Sequence, residues 1–151
     1  MYTIDDLSVI FSDALAEVIA TVTGVDLQCL TSEEDGGFEE ITGVMSLCSK
    51  KGGILFITTK EQDIRVLCSR MIGVPQEKVT REDIEDAICE FVNMTAGSAK
   101  LRLSDRDYMI TLSSPFVIKG KDITVATKTK THVISKHLGN GEISVILKLI
   151  C

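Results

Sequence analysis

The spacing of apolar residues along the chain predicts two helices in its first half. Apolar positions recur every three or four residues from about Thr3 to Thr23, and Gly24 is placed to end that helix. A second helix is predicted from Lys60 to Met71, with Gly73 at its end. Both segments have the amphipathic pattern of helices that pack one face on a core.

A third and longer helix is predicted from Arg81 to Arg102. Thr80 with Asp83 three residues later forms an aspartate variant of the capping box, which favours a helix start. At about 100° per residue, two stripes lie on nearly opposite sides of this helix. The apolar stripe consists of Ile84, Ile88, Phe91, Thr95 and Ala99. The second stripe consists of Asp86, Glu90, Asn93 and Gly97, and we expect it to face solvent.

The remaining apolar runs predict strands, because they are rich in β-branched residues and bounded by turn residues. Val44–Cys48 and Ile54–Thr58 form a predicted hairpin, after a predicted loop over Ser32–Glu40. Asn140–Gly141 is a strong two-residue turn signal. The other predicted strands are Tyr108–Leu112, Ile123–Ile134 and Ile143–Ile150. This order predicts a single α+β domain over residues 1–151, with long helices on a mostly antiparallel sheet.

The first and third helices repeat one another. Asp13, Ala14, Glu17 and Gly24 stand 73 residues before Asp86, Ala87, Glu90 and Gly97. Each helix is also followed by a predicted hairpin, so the chain reads as a diverged duplication of residues 1–73 and 74–151 about a pseudo-two-fold axis. The difference between the copies is Ala20 in the first where Asn93 stands in the second.

Composition and charge exclude several classes of protein. The 151 residues are 44% hydrophobic and 25% charged, and the net charge is −6, so nucleic acid is not an expected partner. The N-terminus is acidic and no apolar run approaches the ~20 residues that cross a bilayer, which predicts a cytoplasmic protein. Lys119, Lys121, Lys128, Lys130 and Lys136 form one local basic segment, which we interpret as protection of an exposed strand edge.

The cysteines and histidines do not indicate a metal site. The five cysteines have no CxxC pair, and His132 and His137 are the two histidines of the chain. We therefore expect buried, free and unreactive thiols, and no metal bound by this chain.

The polar stripe of the third helix can be an ordinary solvated surface, which is the usual role of such residues. It can also do chemistry, because the Asn93 amide has a donor and an acceptor and can position a water without deprotonating it. Such a group suits a substrate with a good leaving group, as an acyl phosphate is. Glu90 is one turn away and ionised at neutral pH, so it can hold a cationic group.

The motif Asp-x-x-x-Glu-x-x-Asn of Asp86, Glu90 and Asn93 continues as the run NMTAG and is followed later by Pro115. With the segment Arg70–Gly73, it closely resembles the CheX/CheC/FliY family of chemotaxis phosphatases, and Ala20 matches the members with one working copy. Pro115 is a weak marker that shapes a loop.

The resemblance implies dephosphorylation of the aspartyl phosphate on a CheY-like receiver domain. Glu90 matches the residue that pairs with the receiver's lysine, and Asn93 matches the residue that orients the water. Asp86 and Gly97 are further candidates for partner contact. Mg²⁺ would then sit on the receiver, with no cofactor on this chain, and the chain would form a homodimer. The alternatives are a non-enzymatic receiver-binding scaffold and an unrelated small-molecule-binding protein.

Overall fold

The computed structural model describes residues 2–30, 37–49, 52–104, 110–127 and 132–151, and this part of the chain contains three α-helices and seven β-strands. The helices are α1 (Ile4–Thr23), α2 (Glu61–Ile72) and α3 (Arg81–Ser104). The strands are β1 (Gln28–Leu30), β2 (Ile41–Cys48), β3 (Ile54–Thr59), β4 (Thr111–Leu112), β5 (Phe116–Lys119), β6 (Val133–Gly139) and β7 (Ser144–Ile150). A short 3₁₀ helix, Gln76–Lys78, connects α2 to α3.

The seven strands form one antiparallel sheet. Its order is β1-β6-β7-β3-β2, and β5 and β4 pair end to end with the outer side of β2. The β2–β3 and β6–β7 hairpins are both present, and they meet at the centre of the sheet, where Ile57 lies opposite Leu147. The predicted α+β class with a mostly antiparallel sheet is confirmed.

The helices cover one face of the sheet and form the main core with it. α1 packs on β6 and β7, α3 packs on β2 and β3, and α2 lies against both long helices. The apolar stripe of α3 faces the core, because Ile88, Thr95 and Ala99 are all completely buried. On the other face of the sheet, Val44, Phe56 and Ile150 form a smaller apolar cluster that Phe38 partly covers. This packing fixes which side of α3 faces solvent.

The predicted helix ends depend on side-chain and glycine caps that the structure contains. Thr3 and Asp6 form a complete capping box at the start of α1. The Thr80 backbone N–H donates to Asp83 at 2.9 Å, and the Asp83 N–H donates to the Thr80 hydroxyl at 3.1 Å, which is the capping box predicted for α3. Gly24 ends α1 in the left-handed conformation. The helices therefore begin and end within a few residues of their predicted limits.

The strands are arranged symmetrically about the centre of the sheet. β3 and β7 are central, β2 and β6 flank them, and the edge strands are β1 on one side and β4 and β5 on the other. The edge strand that follows α1 pairs with the hairpin that follows α3, and β5 pairs with the hairpin that follows α1. This is a pseudo-two-fold arrangement; its origin by duplication of residues 1–73 and 74–151 stays a prediction.

Several predictions about strands and cysteines were wrong. The described residues 123–127 of the predicted Ile123–Ile134 strand are not in a strand, since β6 begins at Val133, and residues 128–131 lie outside the described part. Residues 108–109 of the predicted Tyr108–Leu112 strand are not described, and of its described residues 110–112, Thr111 and Leu112 pair with β2. Residues 32–36 of the predicted loop Ser32–Glu40 are likewise not described. The short edge strands β1 and β5 were not predicted.

The expectation of uniformly buried thiols was also wrong. All five cysteines lie in the described part of the chain, but Cys29 and Cys48 are exposed. Both lie where the sheet meets solvent, Cys29 on edge strand β1 and Cys48 at the end of β2. Cys68 is buried and donates its S–H to the Asp83 carbonyl at 3.4 Å.

Candidate functional site

The solvent face of α3 carries the side chains that the sequence singled out. Asp86, Glu90 and Asn93 are exposed, and Gly97 is partly exposed on the same side. The opposite stripe packs on β2 and β3, so these side chains cannot turn inward without unfolding the helix. The structure therefore brings together all four residues of the predicted polar stripe on one face.

Glu90 and Asn93 lie next to each other on this face. In an α-helix, residues three apart are separated by about 4.5 Å along the axis and roughly 60° around it. Within the described residues, neither side chain forms an ion pair or a side-chain hydrogen bond. The carboxylate and the amide are thus free to bind a partner, and their spacing lets both contact one small group.

The solvent face of α3 is electrically negative, and its carboxylates affect the pKa of the Cys89 thiol. Cys89 lies between the exposed stripe and the flank of α3, and it is partly buried. Burial raises the pKa of this thiol, and the carboxylates of Asp86, Glu85 and Glu90 raise it further. The raised pKa favours the thiol form of Cys89 over the reactive thiolate.

Nothing in the fold requires a glycine at position 97. A Cβ atom added there would meet no atom within 4 Å, and the backbone is ordinary helix. Glycine inside a helix costs roughly 0.5–1 kcal/mol relative to alanine, so the free protein loses stability by having it. A bare backbone one turn beyond Asn93 leaves room for a partner to approach closely.

An ion pair and a cavity, neither of which was predicted from the sequence, lie beside the solvent face of α3. Glu85 of α3 pairs with Lys119 of edge strand β5. Beside this pair is a cavity of about 400 Å³, whose walls include Arg81 and Lys121. Neither Glu90 nor Asn93 lines it. Lys119 and Lys121 belong to the basic segment, but only the unpredicted pairing of β5 with β2 brings them to α3.

The matching face of α1 differs from that of α3. Asp13, Glu17 and Ala20 are exposed, as their counterparts on α3 are. Glu17, however, forms an ion pair with Arg102 near the end of α3. The helices also end differently, because Gly24 stops α1 whereas its counterpart Gly97 lies inside α3.

Two kinds of feature are absent from the described residues. These residues contain no group of three or more His, Cys, Asp or Glu side chains placed to hold a metal ion. None of their helices combines the length and the apolar character that a membrane crossing requires.

Solved structures with this fold include several chemotaxis proteins. The chain superposes on a CheC-like superfamily protein from Shewanella sp. PV-4 with a TM-score of 0.84, at 24% identity over 99% of this chain and 98% of that one. For the chemotaxis protein CheX from Vibrio vulnificus the TM-score is 0.82, at 21% identity over 97% and 95% of the two chains.

A third neighbour was solved with a partner. It is the CheX of the CheX–CheY–BeF₃–Mg²⁺ complex from Borrelia burgdorferi, with a TM-score of 0.73 at 15% identity over 97% of each chain. These likenesses establish the fold. No curated protein sequence matches the chain.

A family model provides the assignment. The model described as chemotaxis phosphatase CheX matches residues 41–137, which run from the start of β2 into β6 and include the whole of α3. The matched part is more than half of the chain and contains the Asp-x-x-x-Glu-x-x-Asn motif. The chain therefore belongs to the CheX family of chemotaxis phosphatases.

Proposed function

We propose that this protein hydrolyses the aspartyl phosphate of a CheY-like response regulator. Membership of a phosphatase family supports the reaction class. The solution of the B. burgdorferi neighbour as a CheX–CheY–BeF₃–Mg²⁺ complex supports a CheY-like receiver as the partner. The proposed active groups are Asn93 and Glu90, with Asp86 and Gly97 as further partner contacts.

The observation that carries this proposal is that Glu90 and Asn93 stand exposed on a helix surface. Sites for small substrates are concave and bury most of the ligand. A reactive amide on an open face needs a partner that brings the other walls of the site with it. A folded receiver domain provides such walls, and its phosphoryl group would lie against Asn93 only after docking.

The proposed hydrolysis requires this chain only to position the attacking water and the receiver. Water attacks phosphorus, the bond from phosphorus to the aspartyl oxygen breaks, and the aspartate leaves as a carboxylate that requires no proton. The water's protons remain on the released phosphate or pass to solvent. The Asn93 carbonyl accepts a hydrogen bond from the water and holds it in line with the breaking bond. No proton transfer to this chain is required.

Glu90 fixes the position of the receiver. Its carboxylate has no ion-pair partner in the described residues. A lysine ammonium of the receiver would pair with it, one helical turn from the amide. Binding through Glu90 and reaction through Asn93 are thus assigned to adjacent but separate groups, which is what makes them separable by mutation.

Any magnesium is assigned to the receiver and none to this chain. Among the described residues of this chain, no group of three or more His, Cys, Asp or Glu side chains is placed to hold a metal ion.

The proposal also includes a homodimer in the cytoplasm. Edge strands β1 and β5 each pair with one neighbour in the described part of the sheet, and each carries a half-exposed apolar side chain, Leu30 and Phe116. Sheet edges of this kind are common sites of association between chains. Sedimentation equilibrium at micromolar concentration tests the dimer.

The rival function is a receiver-binding scaffold of the same fold. Phosphate release from purified receiver domains charged with acetyl phosphate, with and without this protein, decides between them. Acceleration for at least one receiver supports the phosphatase. Binding without acceleration for every receiver supports the scaffold.

A further inference from the structure

The cavity beside the Glu85–Lys119 ion pair has the size of a small-molecule site. Its volume of about 400 Å³ lies in the range of pockets that hold such ligands. Its described walls come from the start of β2, the start of α2, the first turns of α3, and the end of β5 with the turn that follows it. Glu90 and Asn93 are not among the described walls, so the cavity is separate from the proposed phosphatase site.

The cavity has an apolar floor and a charged rim. Ile41 and Ile84 line it and are almost completely buried, so they form its deeper part. Arg81 and Lys121 also line it, and both are exposed. An occupant would therefore place an apolar part over the two isoleucines and a charged part towards the rim.

Each carboxylate of the described walls already has a favourable partner. Glu85 pairs with Lys119. Glu61 pairs at 3.5 Å with Arg65, which is not among the described walls. Glu40 accepts a hydrogen bond from the Glu61 backbone N–H at 3.4 Å, at the positive N-terminal end of α2. These contacts leave the carboxylates poorly placed to bind a cationic ligand.

Two cations of the walls have no such partner. Neither Arg81 nor Lys121 forms an ion pair or a side-chain hydrogen bond within the described part of the chain. The charged groups available to a ligand are therefore one guanidinium and one ammonium. A guanidinium binds a phosphate through two parallel hydrogen bonds, and an ammonium binds it as a compact charge. Together they match a phosphate monoester, which is close to a dianion at neutral pH.

The backbone on both sides of Lys121 has an unusual conformation. Gly120 has a φ of 137° and Asp122 a φ of 61°, and a positive φ is uncommon for a residue with a side chain. The Gly120 N–H donates to the Glu40 carbonyl at 2.9 Å, which ties this turn to the start of β2. Residues in such conformations tend to occur at functional sites. The turn holds Lys121 at the rim of the cavity.

We propose that this cavity binds a small phosphate monoester, with the phosphate group held by Arg81 and Lys121 and the organic part packed on Ile41 and Ile84. The site uses none of the groups assigned to hydrolysis. It is therefore a ligand site additional to the proposed function, and each of the two can be tested without the other.

Phenyl phosphate is the probe, because it joins a phosphate group to a compact apolar ring. Titration of the isotope-labelled chain, followed by NMR at about 0.15 M salt to screen weak surface attraction, should shift the backbone amides of Arg81, Gly120 and Lys121 saturably. We expect Arg81→Gln with Lys121→Gln to raise Kd about tenfold or more. No saturable shift in the wild type, or an unchanged Kd in the double variant, would overturn the site.

Two further variants test the charge assignment. Lys78→Gln removes a cation that stands three residues before Arg81 but is not among the described walls, so Kd should not change. Glu85→Gln releases Lys119 from its ion pair and supplies a third cation, so Kd should fall several-fold. A rise in Kd for Lys78→Gln equal to that of the double variant would reduce the binding to general attraction and overturn the proposal. Thermal melting of each variant verifies folding.

Two other anions test the class of ligand. Inorganic phosphate lacks the apolar part and should bind more weakly than phenyl phosphate. Succinate carries two carboxylates and no phosphate, and tighter binding of succinate would overturn the assignment to phosphate monoesters. None of these measurements uses a receiver domain, so their failure would leave the proposed phosphatase function untouched.

Discussion

Gly43 of β2 lies directly beneath Val92 of α3, so closely that a Cβ atom added at Gly43 would be 2.6 Å from the Val92 Cγ2 atom. The backbone carbonyl oxygen of Ile88 would be 3.2 Å from that added Cβ atom. This contact sets the distance between α3 and the sheet.

Gly43→Ala should therefore destabilise the protein. Val92 has a β-branched side chain that cannot turn away freely, and the helix backbone is also near, so the extra methyl group has no room. We expect a loss of about 1–3 kcal/mol in the free energy of unfolding, measured by urea denaturation. An unchanged unfolding midpoint would mean that α3 can lift from the sheet at little cost.

Gly97→Ala should have the opposite effect on stability. The added Cβ meets nothing within 4 Å, so the variant gains helix propensity without strain. We expect a gain of roughly 0.5–1 kcal/mol in the same measurement.

Activity of the same variant tests the partner contact. If a receiver packs against the bare backbone at Gly97, Gly97→Ala should raise KM for the phosphorylated receiver while the free protein becomes more stable. Gly97→Glu, which adds bulk and charge, should raise it further. A more stable variant with unchanged kinetics would remove Gly97 from the interface.

The pH dependence of Cys89 alkylation should depend on the negative charge of the α3 face. Burial and the carboxylates of Asp86, Glu85 and Glu90 raise the pKa of this thiol above the ordinary value of 9.0. Because only the thiolate reacts with iodoacetamide, the midpoint of alkylation against pH should lie above 9.0. Glu90→Gln should move the midpoint down, since it removes one charge that disfavours the thiolate.

Mass spectrometry of the peptide that contains Cys89 gives this midpoint separately from the other thiols. Exposed Cys29 and Cys48 provide comparison sites in the same chain. A midpoint at or below the ordinary thiol value would contradict the negative face.

The sequence predicted the parts of the fold that depend on local signals. The three helices have strong periodicity and their own caps, such as Thr80 with Asp83, so their limits were predicted within a few residues. Edge strands β1 and β5 were missed because each is at most four residues long, too short to have a pattern. Their existence depends on pairing with strands far away in the sequence.

In the candidate site, too, features set by local sequence were predicted and features set by distant contacts were not. The exposure of Glu90 and Asn93 followed from helical spacing alone, and the structure confirms it. The Glu17–Arg102 ion pair joins residues 85 positions apart, and no local pattern could reveal it. What each group does was implied by family resemblance, and it stays a prediction that mutation must test.

Glu90→Ala should weaken receiver binding. Removing one member of a desolvated ion pair costs about 2 kcal/mol or more, which corresponds to a roughly thirtyfold higher Kd. Isothermal titration with the activated receiver measures this change. Glu17→Ala is the matched control, because it removes the counterpart carboxylate on α1 and should leave binding at α3 unchanged. Equal affinity for Glu90→Ala and wild type would rule out the docking role.

Asn93→Ala should separate reaction from binding. The substitution removes the amide that positions the water and little of the interface, so we expect phosphate release to fall about a hundredfold at saturating receiver while Kd changes less than twofold. Asn93→Asp is the informative companion, because it keeps the size of the side chain but puts a negative charge beside a phosphoryl group and removes the amide donors. If Asn93→Ala instead lost binding and turnover in equal measure, the amide would be a contact residue, and its assignment as the group that orients the water would be wrong.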